Sequence, residues 1–344
     1  MKQAGPEPGA VVVAGATGYI GRHVARELAR RGHEVLALVR PGRGADDPFL
    51  ADCILVETEV TDPDRLGRDL AGRPVAAVVS CLASRSGVPR DAERVDRDAN
   101  GHLLGLAPSL GASRFVLLSA ICVQRPTLAF QRAKLDFEAR LRAAPLCWTI
   151  VRPTAFFKSL AGQVERVRQG KPFLVFGDGR LTACKPIGEA DLATFMADCL
   201  EQPERRNVVL PVGGPGPALT PRQQGALLHA VLDRPPTFRS VRPGLLKWAA
   251  RTLGALGRLV PPLAEKAELA RIGYYYATES MLLWNDQAGA YDASATPETG
   301  TETLEDFYRR VAAEGLVGQE LGAHRLFDRS DPTRGPRAEK NRDA

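Results

Sequence analysis

A short apolar run, Val11 to Ala14, ends in Gly15-Ala16-Thr17-Gly18-Tyr19-Ile20-Gly21, and a helical pattern starts directly behind it. A strand, a glycine-rich turn and a helix in that order form the cradle that a dinucleotide pyrophosphate requires. Gly15 permits the tight turn, Gly18 lets the backbone approach the phosphates without a Cβ, and Gly21 lets the helix lie close to the strand. Thr17, Tyr19 and Ile20 complete the loop, and the helix N-terminus offers unpaired N–H groups to an anion. Behind the loop, Ile20, Val24 and Leu28 share one helical face, while His23, Arg26, Glu27, Arg30 and Arg31 fall elsewhere. Glycines alone would also suit a βα turn that binds nothing; the strand before and the helix after favour a nucleotide.

The second strand, Glu34 to Val39, bears on which nucleotide. The residue at its end meets the adenosine ribose, where Asp or Glu accepts from the 2′-hydroxyl of NAD and a cation suits the 2′-phosphate of NADP. Here the strand runs into Arg40-Pro41-Gly42-Arg43-Gly44, with no acid. Two guanidinium groups, Arg40 and Arg43, stand where a phosphate wants them, so NADPH is the expected cofactor.

Further apolar runs at 53–56, 75–82, 114–119 and 148–152 alternate with helical patterns, including one long helix over 92–110 and another over 130–143. That rhythm predicts an α/β fold, a Rossmann-like doubly wound parallel sheet. Thr61-Asp62-Pro63 starts a helix with Asp62 or Thr61 as cap, although an acid here also suits an adenine contact. After Arg152 the strands shorten (173–176, 208–212, about 237–241), Pro and Gly thicken, and helices follow at 189–200, 220–232 and 245–259. The expected organisation is a flexible N-terminus (1–9), an NADPH-binding domain (10–155), a smaller C-terminal substrate-binding lobe interwoven with the end of the sheet (156–328), and a polar disordered tail (329–344).

The 344-residue chain is 44% hydrophobic, ample for a core, and its net charge of +6 is spread out. A nucleic-acid site would need a clustered basic stripe with interleaved aromatics, and none is present. Six cysteines lack metal-ligand spacing, and several lie in strand-like runs, which suits buried thiols in a cytoplasmic protein. No metal site is expected. Pro243 to Pro262 reads as a basic amphipathic helix carrying Leu245, Trp248, Leu256, Lys247, Arg251 and Arg258. It suits an anionic membrane surface, a cover over the substrate pocket, or simple packing on the lobe.

The chain up to this point resembles the short-chain dehydrogenase/reductase superfamily in its extended or atypical branch. There, a Ser ending the fifth strand and a Tyr-x-x-x-Lys on the next helix surround the nicotinamide. Ser119 and Lys134 fill the first and last of these positions, but Phe130 stands where the Tyr belongs. Phenylalanine has no proton to give, which removes the usual route to a carbonyl or alcohol. Lys134 can still orient the nicotinamide ribose. The same resemblance places Cys81, Ala83 and Pro153, at the ends of strands, along the cofactor.

Several later runs narrow the likeness: Ser80–Gly87, Ser119–Val123, Phe130–Leu135, Arg152-Pro153-Thr154-Ala155-Phe156-Phe157-Lys158-Ser159, Phe176–Gly179, Glu189–Ala193 and Ala267–Ala277. Together they resemble the NADPH-dependent divinyl chlorophyllide 8-vinyl reductases of chlorophyll and bacteriochlorophyll synthesis, from about Val11 to Arg310. The resemblance implies hydride transfer to the exocyclic 8-vinyl group of a Mg-tetrapyrrole, giving 8-ethyl, at a cytoplasmic site that could touch the photosynthetic membrane. The macrocycle then holds the negative charge, so a missing Tyr is tolerable. Phe156 and Phe157 are candidate walls for a flat pigment, Arg152 or Lys158 a handle for its propionate, and Tyr274, Tyr275, Tyr276 or water the proton source. Two alternatives stay open: another C=C or C=O reductase of the isoflavone-reductase-like type, and a non-catalytic NADP-binding sensor or assembly protein.

Overall fold

The computed structural model describes residues 9–257 and 260–315. The expected tail, the N-terminal segment before Gly9, and Arg258 and Leu259 lie outside the described residues.

Strand β1 (Ala10–Ala14) leads through the glycine turn into α1 (Gly21–Arg30), followed by β2 (Val35–Val39), β3 (Ile54–Glu57), α2 (Pro63–Leu70) and β4 (Val75–Ser80). A continuous helical segment comes next: α3 (Pro89–Ala92), a π-helical stretch at Glu93–Ala99, and α4 (Asn100–Leu106). Strand β5 (Arg114–Leu118), α5 (Ala129–Ala143) and β6 (Cys147–Pro153) complete the first half. Beyond it lie α6 (Phe157–Leu160), α7 (Val164–Arg168), β7 (Phe173–Phe176), α8 (Glu189–Glu201), β8 (Val208–Val212), α9 (Pro221–Val231) and β9 (Phe238–Val241). The helices α10 (Gly244–Leu256) and α11 (Pro261–Thr278), the hairpin β10 (Leu283–Asn285) with β11 (Ala290–Asp292), and α12 (Leu304–Glu314) follow.

Seven strands form one sheet in the order β3-β2-β1-β4-β5-β6-β8, and every neighbouring pair in it is parallel. All five residues of β1 are buried because helices cover both faces of the sheet. On one face Val24, Ala25 and Leu28 of α1 pack with Leu192, Met196 and Cys199 of α8. On the other, Leu66 and Leu70 of α2 pack with Leu103 of α4 and Phe137 and Leu141 of α5. Each buried Leu or Phe contributes about 1.5–3 kcal/mol, so these two layers hold the sheet.

The lobe is a separate unit of packing. Among the described residues strands β7 and β9 pair only with each other, and Phe157, Val164, Phe173, Leu228, Phe307 and Tyr308 belong to its core. β8 is the sheet's last strand and α8 covers its face, although both lie beyond residue 156.

Two helical expectations are corrected. The long helix over 92–110 begins earlier, at Pro89, ends at Leu106, and contains the π-helical stretch. The single helix over 243–262 is two: α10 stops at Leu256, and Gly257 sits where a Cβ would lie 2.7 Å from the Ala264 nitrogen. That close approach, with Pro at 261 and 262, turns the chain back so that α11 packs along α10.

Candidate functional site

The strand order reverses between β1 and β4, whose ends meet at Ala14 and Ser80. This switch point is where open α/β sheets leave a crevice for a nucleotide. Gly15 sits there at φ +77°, and a Cβ on it would stand 2.8 Å from the Cys81 carbonyl oxygen. A Cβ on Gly21 would stand 2.1 Å from the Gly15 carbonyl oxygen, so only glycine lets α1 start so close to the turn. Gly18 is exposed, and its N–H donates to the Gly15 carbonyl at 2.9 Å. No side chain caps α1 at Ile20, so its first-turn N–H groups suit a pyrophosphate. These features fit an NAD(P)H molecule.

At the far end of β2, Arg40 and Arg43 are both exposed, and neither guanidinium forms an ion pair with a described residue. The carbonyl of Thr17 is engaged by Arg22 at 3.1 Å. Asp62 accepts from the Arg65 N–H at 3.0 Å as N-cap of α2. The cap therefore accounts for this acid.

At the other end of the crevice Lys134 is buried, and its Nζ lies 2.8 Å from Asp96 Oδ1. Asp96 comes from the π-helical stretch; its Oδ1 also accepts from the Ser84 N–H at 3.3 Å, while its buried Oδ2 has no hydrogen-bond partner. π-Helical turns recur at functional sites because they re-aim a side chain out of the helical register. Sequence reasoning missed Asp96. The signal was faint, an acid within an otherwise helical run.

Ser119 belongs to a second buried network. Its Oγ donates to Glu138 Oε1 at 2.6 Å, and Arg152 Nε donates to the same oxygen at 3.1 Å. Arg152 Nη2 donates to Glu138 Oε2. Arg152 is therefore corrected as a propionate handle, because leaving Glu138 would give up both guanidinium bonds to a buried carboxylate whose remaining partners are Ser119 and, at 3.5 Å, Arg142. Glu138 was also missed, although its spacing of four from Lys134 places both on one face of α5.

Phe156 and Phe157 part company. Phe157 is fully buried against Phe307, ring centroids 5.2 Å apart, and is corrected from a pocket wall to a core residue of the lobe. Phe156 stays half-buried with its ring 6.2 Å from that of Tyr19, and Lys158 Nζ lies 5.1 Å from the Tyr19 ring centroid. The Tyr19 hydroxyl donates to Glu189 Oε2 at 2.5 Å, and Arg310 holds Glu189 Oε1 at 3.1 Å. Burial, followed by the Glu189 charge, pushes the Tyr19 phenol far above its ordinary pKa, so it stays a donor. Expected cofactor and substrate residues thus meet here, and the contact ties the glycine loop to α8 and α12.

The remaining positions are spread over several elements. Cys81 follows the end of β4, Ala83 is exposed in the next loop, and Pro153 is buried where β6 pairs with Val212 of β8. Tyr274 is half-buried under Lys247, whose Nζ is 5.7 Å from its ring centroid. Tyr275 donates to the Cys122 carbonyl at 3.0 Å, and burial raises its phenol to about 12.

Comparison with known proteins agrees with this geometry. The NAD(P)H-binding family matches residues 15–203. The divinyl chlorophyllide a 8-vinyl-reductase of Oryza sativa subsp. indica is 50% identical over 336 residues, covering 94% of this chain and 83% of that protein. The one from Zea mays is 51% identical over 331 residues, covering 92% and 82%. The one from Arabidopsis thaliana is 46% identical over 328 residues, covering 91% and 79%. Among solved structures, an NADPH-dependent quinone oxidoreductase from Escherichia coli, in complex with NADPH, superposes with a TM-score of 0.65 at 18% identity, covering 88% of this chain and 99% of that one. At that identity the likeness speaks for the Rossmann-like fold alone. The sequence matches reach further: the chain belongs to the divinyl chlorophyllide a 8-vinyl-reductase family, built on an NAD(P)H-binding fold.

Proposed function

We propose that this protein uses NADPH to reduce the 8-vinyl group of a divinyl chlorophyllide, or a closely related Mg-tetrapyrrole, to 8-ethyl. The observation that carries the reading is identity of 46–51% with the vinyl reductases over at least nine-tenths of the chain. NADPH supplies the hydride when bound. The guanidiniums of Arg40 and Arg43 at the end of β2, without an ion pair among the described residues, support NADPH over NADH, since a 2′-phosphate would give both a partner.

The chain's own residues then divide the work. The glycine loop and the start of α1 hold the pyrophosphate, and Lys134, fixed by Asp96, orients the nicotinamide ribose. Ser119 is held by Glu138 just past the end of β5. Phe156 offers an apolar wall beside Lys158, whose ammonium suits the pigment's propionate. Phe130 contributes no proton, which fits a substrate whose conjugated ring accepts the electron pair without forming an oxyanion.

The same reading extends to where the pigment is exchanged. Among the described residues no helix is long and apolar enough to cross a membrane. Helix α10 nevertheless exposes Leu245, Trp248 and Leu256. The stretch between Asp233 and Glu265 carries six basic residues and no acid. This pattern supports contact with an anionic lipid surface, where an apolar pigment is handed over.

The test of the activity is direct. Incubation with NADPH and divinyl chlorophyllide a should shift the Soret band to the blue and yield the 8-ethyl product by HPLC. NADPH binding without turnover on any divinyl pigment would overturn the assignment in favour of a sensor or assembly role.

A further inference from the structure

Replacing Tyr by Phe130 leaves the site without the phenol that its fold ordinarily places four residues before the lysine. A phenol nevertheless reaches the same neighbourhood from elsewhere. Gly87, φ +69°, forms the crossing point: a Cβ on it would stand 3.1 Å from Ile272 Cδ1 and 3.3 Å from Phe130 Cδ1. Helix α11 therefore leans on Phe130 through Ile272, and Tyr276 lies one turn further along the same face.

Tyr276 packs edge-on against Tyr275, ring centroids 5.8 Å apart, and Tyr275 is anchored to the Cys122 carbonyl. The Tyr276 hydroxyl interacts with the Cys122 thiol and feels the Asp96 carboxylate. Asp96 is the partner of Lys134, and its second oxygen is buried without a hydrogen bond. Tyr276 as a whole is 43% exposed, so its side chain borders solvent.

We infer that Tyr276 is the proton donor of this reaction, supplied by the lobe in place of the tyrosine that α5 lacks. The inference rests on the proposed vinyl reduction. Once the terminal vinyl carbon has received its hydride, the C=C π bond is broken and its electron pair sits on the inner carbon, delocalised over the macrocycle. The Tyr276 O–H bond breaks, its proton forms the C–H bond at that inner carbon, and the phenolate takes a proton back from water. Lys134 already neutralises Asp96, so the phenolate forms beside a paired carboxylate. Burial and the neighbouring Cys122 raise the phenol well above its ordinary pKa, which keeps it protonated until a strong carbon base is present.

The experiment compares the full-length wild type with Tyr276→Phe and Tyr275→Phe, with NADPH and divinyl chlorophyllide a, in H2O and D2O. The expected result for Tyr276→Phe is a fall in kcat of about a hundredfold or more, with NADPH affinity little changed. In D2O the wild type should place deuterium on one face of the inner carbon, and residual turnover by Tyr276→Phe should place it on both faces, because bulk water then delivers it. The label needs only a few turnovers, so it decides even if the variant is less stable. Near wild-type kcat with single-face labelling in Tyr276→Phe overturns the inference, as does loss of face selectivity in Tyr275→Phe instead. A wild-type protein that leaves the pigment unreduced would bring down the functional reading and this inference together.

Discussion

Lys134 Nζ and Asp96 Oδ1 stand 2.8 Å apart, with side-chain exposures of only 11% and 0%. A charge pair so poorly solvated is costly to assemble, and its two ends come from different helical segments, α5 and the π-helical stretch before α4. Its value lies in placement. The pair fixes a cation at the end of the crevice where the nicotinamide ribose is expected, at a position defined to within a hydrogen bond.

Breaking that pair from one side should be expensive. Lys134→Met leaves the Asp96 carboxylate buried and uncompensated, at a cost of about 3–5 kcal/mol. Adding Asp96→Asn should recover much of the stability without restoring turnover, since the cation proposed to orient the ribose remains missing. Urea unfolding of both single variants and the double variant provides the coupling energy. A loss below about 1 kcal/mol for Lys134→Met would show the pair to be solvated like a surface one.

How legible was this site in the sequence? Short apolar runs bounded by Pro and Gly were readable, and β7 and β8 occupy the stretches expected of them, 173–176 and 208–212. The glycine turn was readable because backbone conformation and close approach leave only glycine at Gly15 and Gly21. The partners of charged groups were not. Asp96 and Glu138 look like ordinary helix acids until the fold brings Lys134, Ser119 and Arg152 against them. Phe156 and Phe157 are neighbours of the same type, and only the path of the chain after β6 turns one toward Tyr19 and the other into the lobe core.

The glycine loop allows a sharp contrast. Gly21→Ala brings a Cβ to 2.1 Å from the Gly15 carbonyl oxygen, which only a backbone shift can relieve. It should abolish NADPH binding, measured by nicotinamide fluorescence, and lower the melting temperature. Gly105→Ala, inside α4 with nothing within 4 Å of the new Cβ, should instead stabilise by about 0.5–1 kcal/mol and leave NADPH binding intact. Equal behaviour of the two variants would contradict the assigned role of the loop.

Cofactor choice should respond to charge at the end of β2. Arg40→Glu replaces a cation facing the expected 2′-phosphate with a repelling carboxylate. NADPH affinity should fall by about ten- to hundredfold, the worth of one charge-assisted hydrogen bond, with NADH affinity little altered. Titration calorimetry with both nucleotides separates the cases. Equal losses would place the phosphate elsewhere.

Alkaline conditions should destabilise the fold in a defined window. Burial raises the Cys184 thiol from 9.0 to about 12 and the Tyr275 phenol from 10.0 to about 12. The unfolded chain then loses these protons first, so the stability they confer is complete below about pH 9 and drains away as pH climbs toward 12. The urea midpoint should decline across that range, and Cys184→Ala should make the decline shallower. A slope unchanged by the variant would remove the thiol from the account.

Trp248, on α10, is 68% exposed, and Leu245, one turn before it, is 60% exposed. An aromatic and an aliphatic side chain in water, flanked by Lys247 and Arg251, are the components of an interfacial helix: apolar burial supplies the attraction, and the cations select anionic headgroups. The protein should therefore co-sediment with anionic vesicles at low salt and be released as the Debye length shrinks. Vesicles of phosphatidylcholine alone should capture far less. Trp emission should shift to the blue on binding, and Trp248→Glu should remove both the shift and the sedimentation. Helix α10 packs chiefly on α11, so this variant should still reduce detergent-dispersed pigment at the wild-type rate. Failure to bind anionic vesicles at low salt would return the exposed stripe to a packing surface without a lipid partner.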